Sequence, residues 1–319
     1  MLLPLVFGTG IFQINQIIST LLASLLAAGS VSCLWYANRL FVFPVGIFVV
    51  ALSTAVLPSL AAQAQQRDMW AVQDNLGFAL RLVNLVTLPA ATGLAVPITT
   101  ALFFRGAFSV QDIVVTAAAL QGLAVGLWPV AATRQITCCL YGLGDTKTPV
   151  WGGVVAVFVK IRFSLVLMGS VSFADETNRV AQAVAVLSRT LSVWNLGVIG
   201  LAISMSLAAI ANLIFQAVAL SWHFHPFPWQ KWIVSLLWSG LASIMIAIRL
   251  WSMIGQIDWF GRNISLPVRV SSLSGAVAVG FLSFVALVWP GGKAEIRALM
   301  GMLPERELGF LPQFLQPRQ

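Results

Sequence analysis

Residues 40–62 read LFVFPVGIFVVALSTAVLPSLAA and carry no Asp, Glu, Lys or Arg. Because a helix needs about 20 mostly apolar residues to cross a bilayer, this stretch predicts a transmembrane helix. The whole 319-residue chain has the same character, with 59% hydrophobic residues and 9% charged residues. A soluble domain has roughly a quarter charged residues. The composition therefore excludes a soluble enzyme, a disordered segment and a disulfide scaffold, and it predicts an all-α polytopic membrane protein.

Other apolar, charge-poor runs of similar length bring the predicted number of transmembrane helices to about eight. Short polar segments, such as YGLGDTKTP at 141–149, separate them. The predicted spans are 2–27, 40–62, 76–104, 117–142, 150–171, 193–221, 232–254 and 271–290.

The orientation in the membrane is predicted from Lys and Arg in the short loops, which are enriched on the cytoplasmic side. The side with fewer of these residues holds Arg105, Arg179, Arg189, Arg262 and Arg269. The richer side, which the rule assigns to the cytoplasm together with the C-terminus, holds Arg67, Lys147, Lys231, Lys293, Arg297, Arg306 and Arg318.

Several basic residues lie within the predicted spans or at their ends, and no Asp or Glu accompanies them there. A charge near the bilayer centre costs about 2.5–3.5 kcal/mol on insertion scales, although a side chain near a helix end can extend to the interface. An acid-free set of cations favours a cavity for an anionic ligand, and scattered extension to the interface is the alternative. The set is Arg39, Arg81, Arg134, Lys160, Arg162 and Arg249.

Motifs for other chemistry are missing from the sequence. Cys33, Cys138 and Cys139 form no C-x-x-C pair, and the motif His223-Phe-His225 has no acid or cysteine close in sequence that would complete a metal site. Neither a hydrolase, a metalloprotease nor a P-loop motif is present. We therefore expect a protein that is not an enzyme and holds no metal or cofactor. The net charge of +8 belongs to a membrane protein and does not predict a nucleic-acid partner.

Five blocks, in order and with matching spacing, resemble the MurJ/MviN lipid II flippases. This family belongs to the multidrug/oligosaccharidyl-lipid/polysaccharide exporter superfamily. The resemblance implies transport of lipid II, the undecaprenyl-diphosphate-linked peptidoglycan precursor, across the bacterial inner membrane by alternating access. The blocks are SVSCLWYANRLFVFPVGIFVVALSTAVLPSL (30–60), LRLVNLVTLPAATGL (80–94), LFFRGAFSVQD (102–112), YGLGDTKTPV (141–150) and GLAISMSLAAIANL (200–213).

The resemblance also implies how the chain is divided. Residues 1–221 resemble the second six-helix lobe of these exporters, 222–290 the final helix pair, and 291–319 a cytoplasmic tail. The first lobe has no counterpart, so we expect the chain to be incomplete without an N-terminal lobe, or else to pair as a homodimer. Two other functions remain open: a different exporter of polyprenyl-linked saccharides, and a structural remnant that transports nothing.

The resemblance assigns roles to individual cations. Arg39 matches an arginine of the family's eighth helix that faces the central cavity and engages the diphosphate. Lys147 matches the basic residue of the cytoplasmic GDTKTP loop. Two acids that accompany the arginine in many family members are replaced by Asn38 and Val42. The predicted substrate-binding set is Arg39, Arg134, Lys147 and Lys160.

A second set of positions resembles a sodium site that some members of the family hold in this lobe. The ligand positions read Ser19, Lys160, Ser164 and Met205 in this sequence, and they include no carboxylate. The site as written should not bind sodium. The Lys160 ammonium is predicted to take the place of the cation and to tether helices through the hydroxyls of Ser19 and Ser164. Alternatively, Lys160 faces the cavity and meets the substrate phosphate.

Overall fold

The structure, a computed structural model, describes residues 2–66, 68–90, 95–104, 108–169, 188, 190, 192–224 and 229–254, with fragments between 271 and 283. Every regular element in this part of the chain is helical, which confirms the predicted all-α class. The helices are α1 Leu2–Ser24, α2 Ser30–Pro44, a π-helical turn Val45–Val49, α3 Val50–Gln65, α4 Met69–Ala90, α5 Ala95–Phe103, α6 Val110–Ala124, α7 Leu127–Gly142, α8 Lys147–Leu167, α9 Val198–His223 and α10 Trp229–Ile254.

Helices α2 and α3 and the π turn between them form one continuous helix, Ser30–Gln65. Proline has no amide N–H to donate within a helix, and its ring crowds the preceding turn. The helix widens into the π turn directly after Pro44. It begins about ten residues before the predicted span at 40–62, so Arg39 lies inside the helix, whereas the sequence placed it at the start of the span.

Helices α6 and α7 likewise form one apolar segment, Val110–Gly142, longer than the predicted span at 117–142. Its first turn is fixed by a capping box, in which the Asp112 amide donates to Ser109 Oγ and the Ser109 amide donates to Asp112 Oδ2. Asp74 likewise lies within α4. Both acids precede the predicted spans at 76–104 and 117–142, because the helices begin earlier than the apolar runs.

Helix α9 packs against α6, α7 and α8. Small residues bring the backbones together, as they commonly do between membrane helices. A side chain at Gly200 of α9 would meet the Leu167 carbonyl of α8, and one at Gly126 would lie 2.6 Å from Ser206 Oγ. Helix α9 is therefore the element around which the bundle is built.

Two buried apolar clusters stabilise the bundle. One joins α3, α4, α7, α9 and α10 and includes Leu60, Leu80 and Leu140. The other joins α1, α2, α6, α8 and α9 and includes Leu123 and Leu201. Many large apolar side chains remain on the outside; Phe158 of α8, for example, is 69% exposed. An apolar exterior of this kind suits lipid contact.

Four segments of the described chain are long and apolar enough to cross a membrane: Ser30–Gln65, Val110–Gly142, Lys147–Leu167 and Val198–His223. Helices α1, α4 with α5, and α10 lie at three further predicted spans. The predicted span at 271–290 is described only in fragments, and the predicted tail at 291–319 lies outside the described residues. Helix α10 packs on α4, and its Trp232 stacks on Trp128 of α7 with ring centroids 5.8 Å apart.

Candidate functional site: a buried ammonium and an exposed guanidinium

Among the residues that the structure describes, Lys160 is the largest fully buried side chain, with 2% of its surface exposed. Its Nζ donates to the Asn15 backbone carbonyl at 2.6 Å, to Asn15 Oδ1 and to Ser19 Oγ. An ammonium has three N–H donors, so all three are used. Burying a charge is costly unless it is hydrogen-bonded or paired. Here three neutral oxygens supply the bonds, and within the described part of the chain no carboxylate pairs with Lys160.

The three acceptors are close together because Asn15 and Ser19 are one turn apart on α1 and share a face. The Ser19 hydroxyl accepts from Lys160 and donates to the Asn15 carbonyl at 3.1 Å. Helix α8 packs directly against this face of α1. The ammonium therefore cross-links two helices that are far apart in sequence.

The other two members of the predicted degenerate cation site, Ser164 and Met205, have different partners. Ser164, one turn after Lys160, is hydrogen-bonded to Ser204 of α9, with 2.7 Å between the two hydroxyl oxygens. Met205 Sδ lies 4.0 Å from the Ser19 hydroxyl. The structure thus brings Ser19, Lys160 and Met205 together. Ser164 is not a partner of Lys160, because its hydroxyl is bonded to Ser204 instead.

Asn15 supplies two of the three acceptors, and the sequence did not single it out. Asn15 is one of several polar residues in the stretch QINQIIST (13–20) of an otherwise apolar helix. Its spacing of four residues from Ser19 would have placed both on one helical face. That spacing was the available signal.

Arg39 presents a different environment. Its side chain is exposed, and its Cζ lies 4.6 Å from the centroid of the Trp35 ring, one turn earlier on α2. No carboxylate among the described residues forms an ion pair with it. An arginine guanidinium is a planar fork whose donors match phosphate oxygens. This geometry leaves Arg39 available for an anionic ligand.

Arg134 and Lys147 are also exposed, unlike Lys160. Lys147 is the first residue of α8, about 20 Å along the helix from Lys160 at 1.5 Å per residue. Arg134 is on α7, one turn before Cys138. The predicted set of four cations therefore contains one buried cross-link and three exposed groups.

The GDTKTP stretch is ordered by Asp145. Its carboxylate accepts from the Lys147 amide at 3.0 Å and from the Thr148 hydroxyl at 2.6 Å, which caps the start of α8. His223 Nε2, at the end of α9, lies 3.8 Å from Asp145 Oδ2. Partial burial raises the pKa of Asp145, but the hydrogen bonds from Thr148 and Lys147 and the nearby His223 outweigh it and hold the pKa below its ordinary value.

A cleft of about 610 Å³ opens beside this loop, where α3 and α7 end and α4 begins. It is lined by Ala64, Gln65, Met69, Gly142, Leu143 and Gly144. In the part of the chain that the structure describes, no group of three or more His, Cys, Asp or Glu side chains could hold a metal ion. Cys33, Cys138 and Cys139 are free thiols.

Comparison with known proteins agrees with the family resemblance. Residues 1–175 match the family described as "Lipid II flippase MurJ". A probable lipid II flippase MurJ of Vibrio cholerae is 27% identical over 293 residues, which cover 90% of this chain and 50% of the relative. That of Haemophilus influenzae is 34% identical over 174 residues, covering 52% of this chain and 34% of the relative. The lipid II flippase MurJ of Burkholderia cenocepacia is 27% identical over 297 residues, covering 91% and 52%.

A solved structure of lipid II flippase MurJ in an inward closed conformation has the same fold. The TM-score is 0.67 at 19% identity, with 90% of this chain and 52% of that chain covered. The chain spans about half the length, or less, of the curated relatives named above.

Proposed function

Because this chain belongs to the MurJ family of lipid II flippases, we propose that it is part of a transporter that moves lipid II across the bacterial inner membrane. The family match over residues 1–175 supports the substrate, since the relatives are named for lipid II. The observation in this chain that carries the proposal is Arg39: an exposed guanidinium on an apolar helix, stacked on an indole, with no carboxylate partner among the described residues.

In this proposal Arg39 binds the diphosphate of the lipid. Arg134 is a further cation of the cavity, and Lys147 attracts the anionic headgroup at the cytoplasmic face. The polyprenyl chain stays in contact with lipid, against the helix pair at 222–290. The protein carries its substrate and performs no covalent chemistry, so no cofactor is required. The C-terminal tail lies in the cytoplasm, as the excess of Lys and Arg on that side favours.

We further propose that transport requires a second lobe. Alternating access moves two structural units around a site between them, and this chain resembles only the second unit of the exporters. The unit that is missing from this chain is either an N-terminal lobe, in the same gene product or on a separate chain, or another copy of this chain. This chain covers about half of the Vibrio cholerae and Burkholderia cenocepacia relatives, which supports this arrangement.

Lys160 has a structural role in the proposal. Its three donors are used by Asn15 and Ser19, and its side chain is 2% exposed. These contacts favour the tether of α1 to α8 over a contact with the substrate phosphate. The Ser19 side of the tether has support in the structure, whereas Ser164 contributes to a separate link between α8 and α9 through Ser204.

The experiment is rescue of a bacterium depleted of its own lipid II flippase. The chain is expressed alone, and together with the N-terminal half of the Vibrio cholerae relative as a second lobe. We expect growth when both lobes are present, and loss of growth when Arg39→Ala is introduced. Arg162→Ala is the matched control, because Arg162 is an exposed cation of α8 that has no role in the proposal.

The other outcomes separate the alternatives. Stable membrane expression without rescue in any combination would favour a different exporter of polyprenyl-linked saccharides. Failure to accumulate in the membrane, with no phenotype on deletion of the gene, would favour a remnant that transports nothing. Rescue by the chain alone, with a cross-linkable dimer in the membrane, would identify a second copy as the missing unit.

A further inference from the structure

Arg39 is held in place by an aromatic assembly that the resemblance does not account for. Its guanidinium carbon lies 4.6 Å from the centroid of the Trp35 ring. Residues one turn apart on a helix face the same way, and an arginine over an indole is the favoured form of cation–π contact. The indole is 52% exposed, so the pair lies on the accessible side of α2.

The indole contacts the ring of Tyr36, which in turn packs against rings from other parts of the fold. Trp35 meets Tyr36 edge-on, with centroids 5.5 Å apart and an interplanar angle of 81°. Tyr36 contacts Phe103 at the end of α5, at 4.7 Å, and Phe108 before α6, at 5.5 Å. Such ring pairs stabilise a fold by more than the apolar area that they bury. The surface under Arg39 is therefore fixed to three segments of the chain.

This support has a consequence for ligand binding. A free arginine side chain loses considerable rotamer entropy when it binds a ligand, and a side chain ordered in advance loses less. A cation–π contact uses none of the hydrogen-bond donors of the guanidinium, so its N–H groups remain available to a ligand. They are the groups that form paired hydrogen bonds to phosphate oxygens.

We propose that Trp35 is a positioning residue that holds the Arg39 guanidinium ready for the diphosphate. This inference rests on the proposed function for its ligand, and on the contacts of Trp35 for its geometry. If Trp35 has this role, its effect on ligand binding depends on the presence of Arg39. An indole that acts only through packing, or only as an anchor at the membrane interface, would affect binding equally with and without Arg39.

The first test is a double-mutant cycle on binding of undecaprenyl diphosphate to the purified chain in lipid nanodiscs. We expect Trp35→Leu to weaken binding about threefold to tenfold, in the range of a cation–π contact, and Trp35→Phe to restore most of the loss. In an Arg39→Ala background, Trp35→Leu should have no further effect. Trp70→Leu is the matched control, because Trp70 is 79% exposed on α4 and has no role in the proposed function. An equal loss from Trp35→Leu with and without Arg39 would overturn the inference.

The second test needs no ligand, and so it separates this inference from the proposed function. Phenylglyoxal modifies exposed guanidinium groups, and mass spectrometry follows the peptide that contains Arg39. We expect faster modification of Arg39 in Trp35→Leu than in the wild type or in Trp70→Leu. An unchanged rate would overturn the positioning role. Equal binding of undecaprenyl diphosphate by the wild type and by Arg39→Ala would instead refute the proposed phosphate contact.

Discussion

The Lys160 ammonium is hydrogen-bonded to the Ser19 hydroxyl, although the two residues are 141 positions apart in the sequence. The contact joins α8 to α1 inside an apolar bundle. Neutral oxygens take the place of a carboxylate partner for the ammonium, because Asn15 provides the remaining acceptors. A buried cation in a transporter of an anion need not be a substrate contact, and its hydrogen-bond partners distinguish the two roles.

Replacing Lys160 with methionine should destabilise the fold. Methionine has similar length and no donors, so Asn15 Oδ1 and the Ser19 hydroxyl lose the hydrogen bond that they accept from the ammonium. A buried polar group left unsatisfied costs about 1–3 kcal/mol. We expect a lower melting temperature in detergent for Lys160→Met, and no change for Lys147→Met, whose side chain is exposed.

The partners of Lys160 can be separated by the same measurement. Combined with Ser19→Ala, Lys160→Met should be less than additive, because both substitutions break one contact. Combined with Ser204→Ala, it should be closer to additive, since the hydroxyl of Ser204 bonds to Ser164. A melting temperature for Lys160→Met equal to that of the wild type would refute the tether.

Transport by the assembled protein should not require sodium. The ammonium occupies the oxygen acceptors at Asn15 and Ser19, and no carboxylate of the described chain is paired with it. Proteoliposomes that contain the chain and its second lobe should translocate lipid II equally fast in sodium and in potassium buffer. A rate that falls when sodium is removed would contradict the role proposed for Lys160.

The Asp145 cap should contribute stability that depends on pH. Because the folded state lowers the pKa of this carboxyl from its ordinary 3.8, the contribution is present above pH 3.8 and is lost as the pH falls through the lower, folded pKa. Asp145→Ala should lower the melting temperature at pH 7, by the equivalent of about 1 kcal/mol for a lost cap.

The difference between wild type and Asp145→Ala should narrow in acid, below pH 3.8. The control is Asp74→Ala, because Asp74 is exposed. This control should melt like the wild type at pH 7. A gap between wild type and Asp145→Ala that stays constant from pH 7 into acid would show that the carboxylate charge is not involved.

Alanine at Gly200 should be strongly destabilising, unlike alanine at Gly240. The new methyl group at Gly200 would meet the backbone carbonyl of Leu167, whereas the space around Gly240 is open. Overpacking at a backbone contact costs about 1–3 kcal/mol. In an exposed helix interior, replacing glycine with alanine gains roughly 0.5–1 kcal/mol.

We therefore expect Gly200→Ala to melt below the wild type and Gly240→Ala to melt at or above it. Both proteins are compared in the same detergent. Equal melting temperatures for the two variants would mean that α8 and α9 do not approach each other at Gly200 as closely as in the structure.

The helical class and most of the spans could be predicted from apolar runs, because length and hydropathy are local properties. Helix starts could not. The capping box at Ser109 and Asp112 begins a helix with polar residues, and the helix that contains Arg39 starts well before its apolar run. Hydropathy alone places such boundaries too late.

The partners of the predicted site residues were only partly predictable. The match of Ser19 with Lys160 came from the resemblance to a cation site, and the structure brings these side chains together. The hydrogen-bond partner of Ser164 could not be predicted, because it depends on the rotation of α9 about its axis. That rotation places Ser204 beside Ser164. The stacking of Arg39 on Trp35 has the i, i+4 spacing of helical neighbours, but the buttress by Phe103 and Phe108 depends on tertiary packing.

The most direct measurement of the central proposal is translocation of fluorescent lipid II in proteoliposomes that contain the chain and its second lobe. Loss of one charged hydrogen-bonding group from a binding site typically costs about 2–5 kcal/mol. We predict that Arg39→Ala reduces the translocation rate at least tenfold, that Arg39→Lys retains an intermediate rate, and that Arg162→Ala matches the wild type. Equal rates for Arg39→Ala and the wild type would contradict the assignment of Arg39 to the diphosphate.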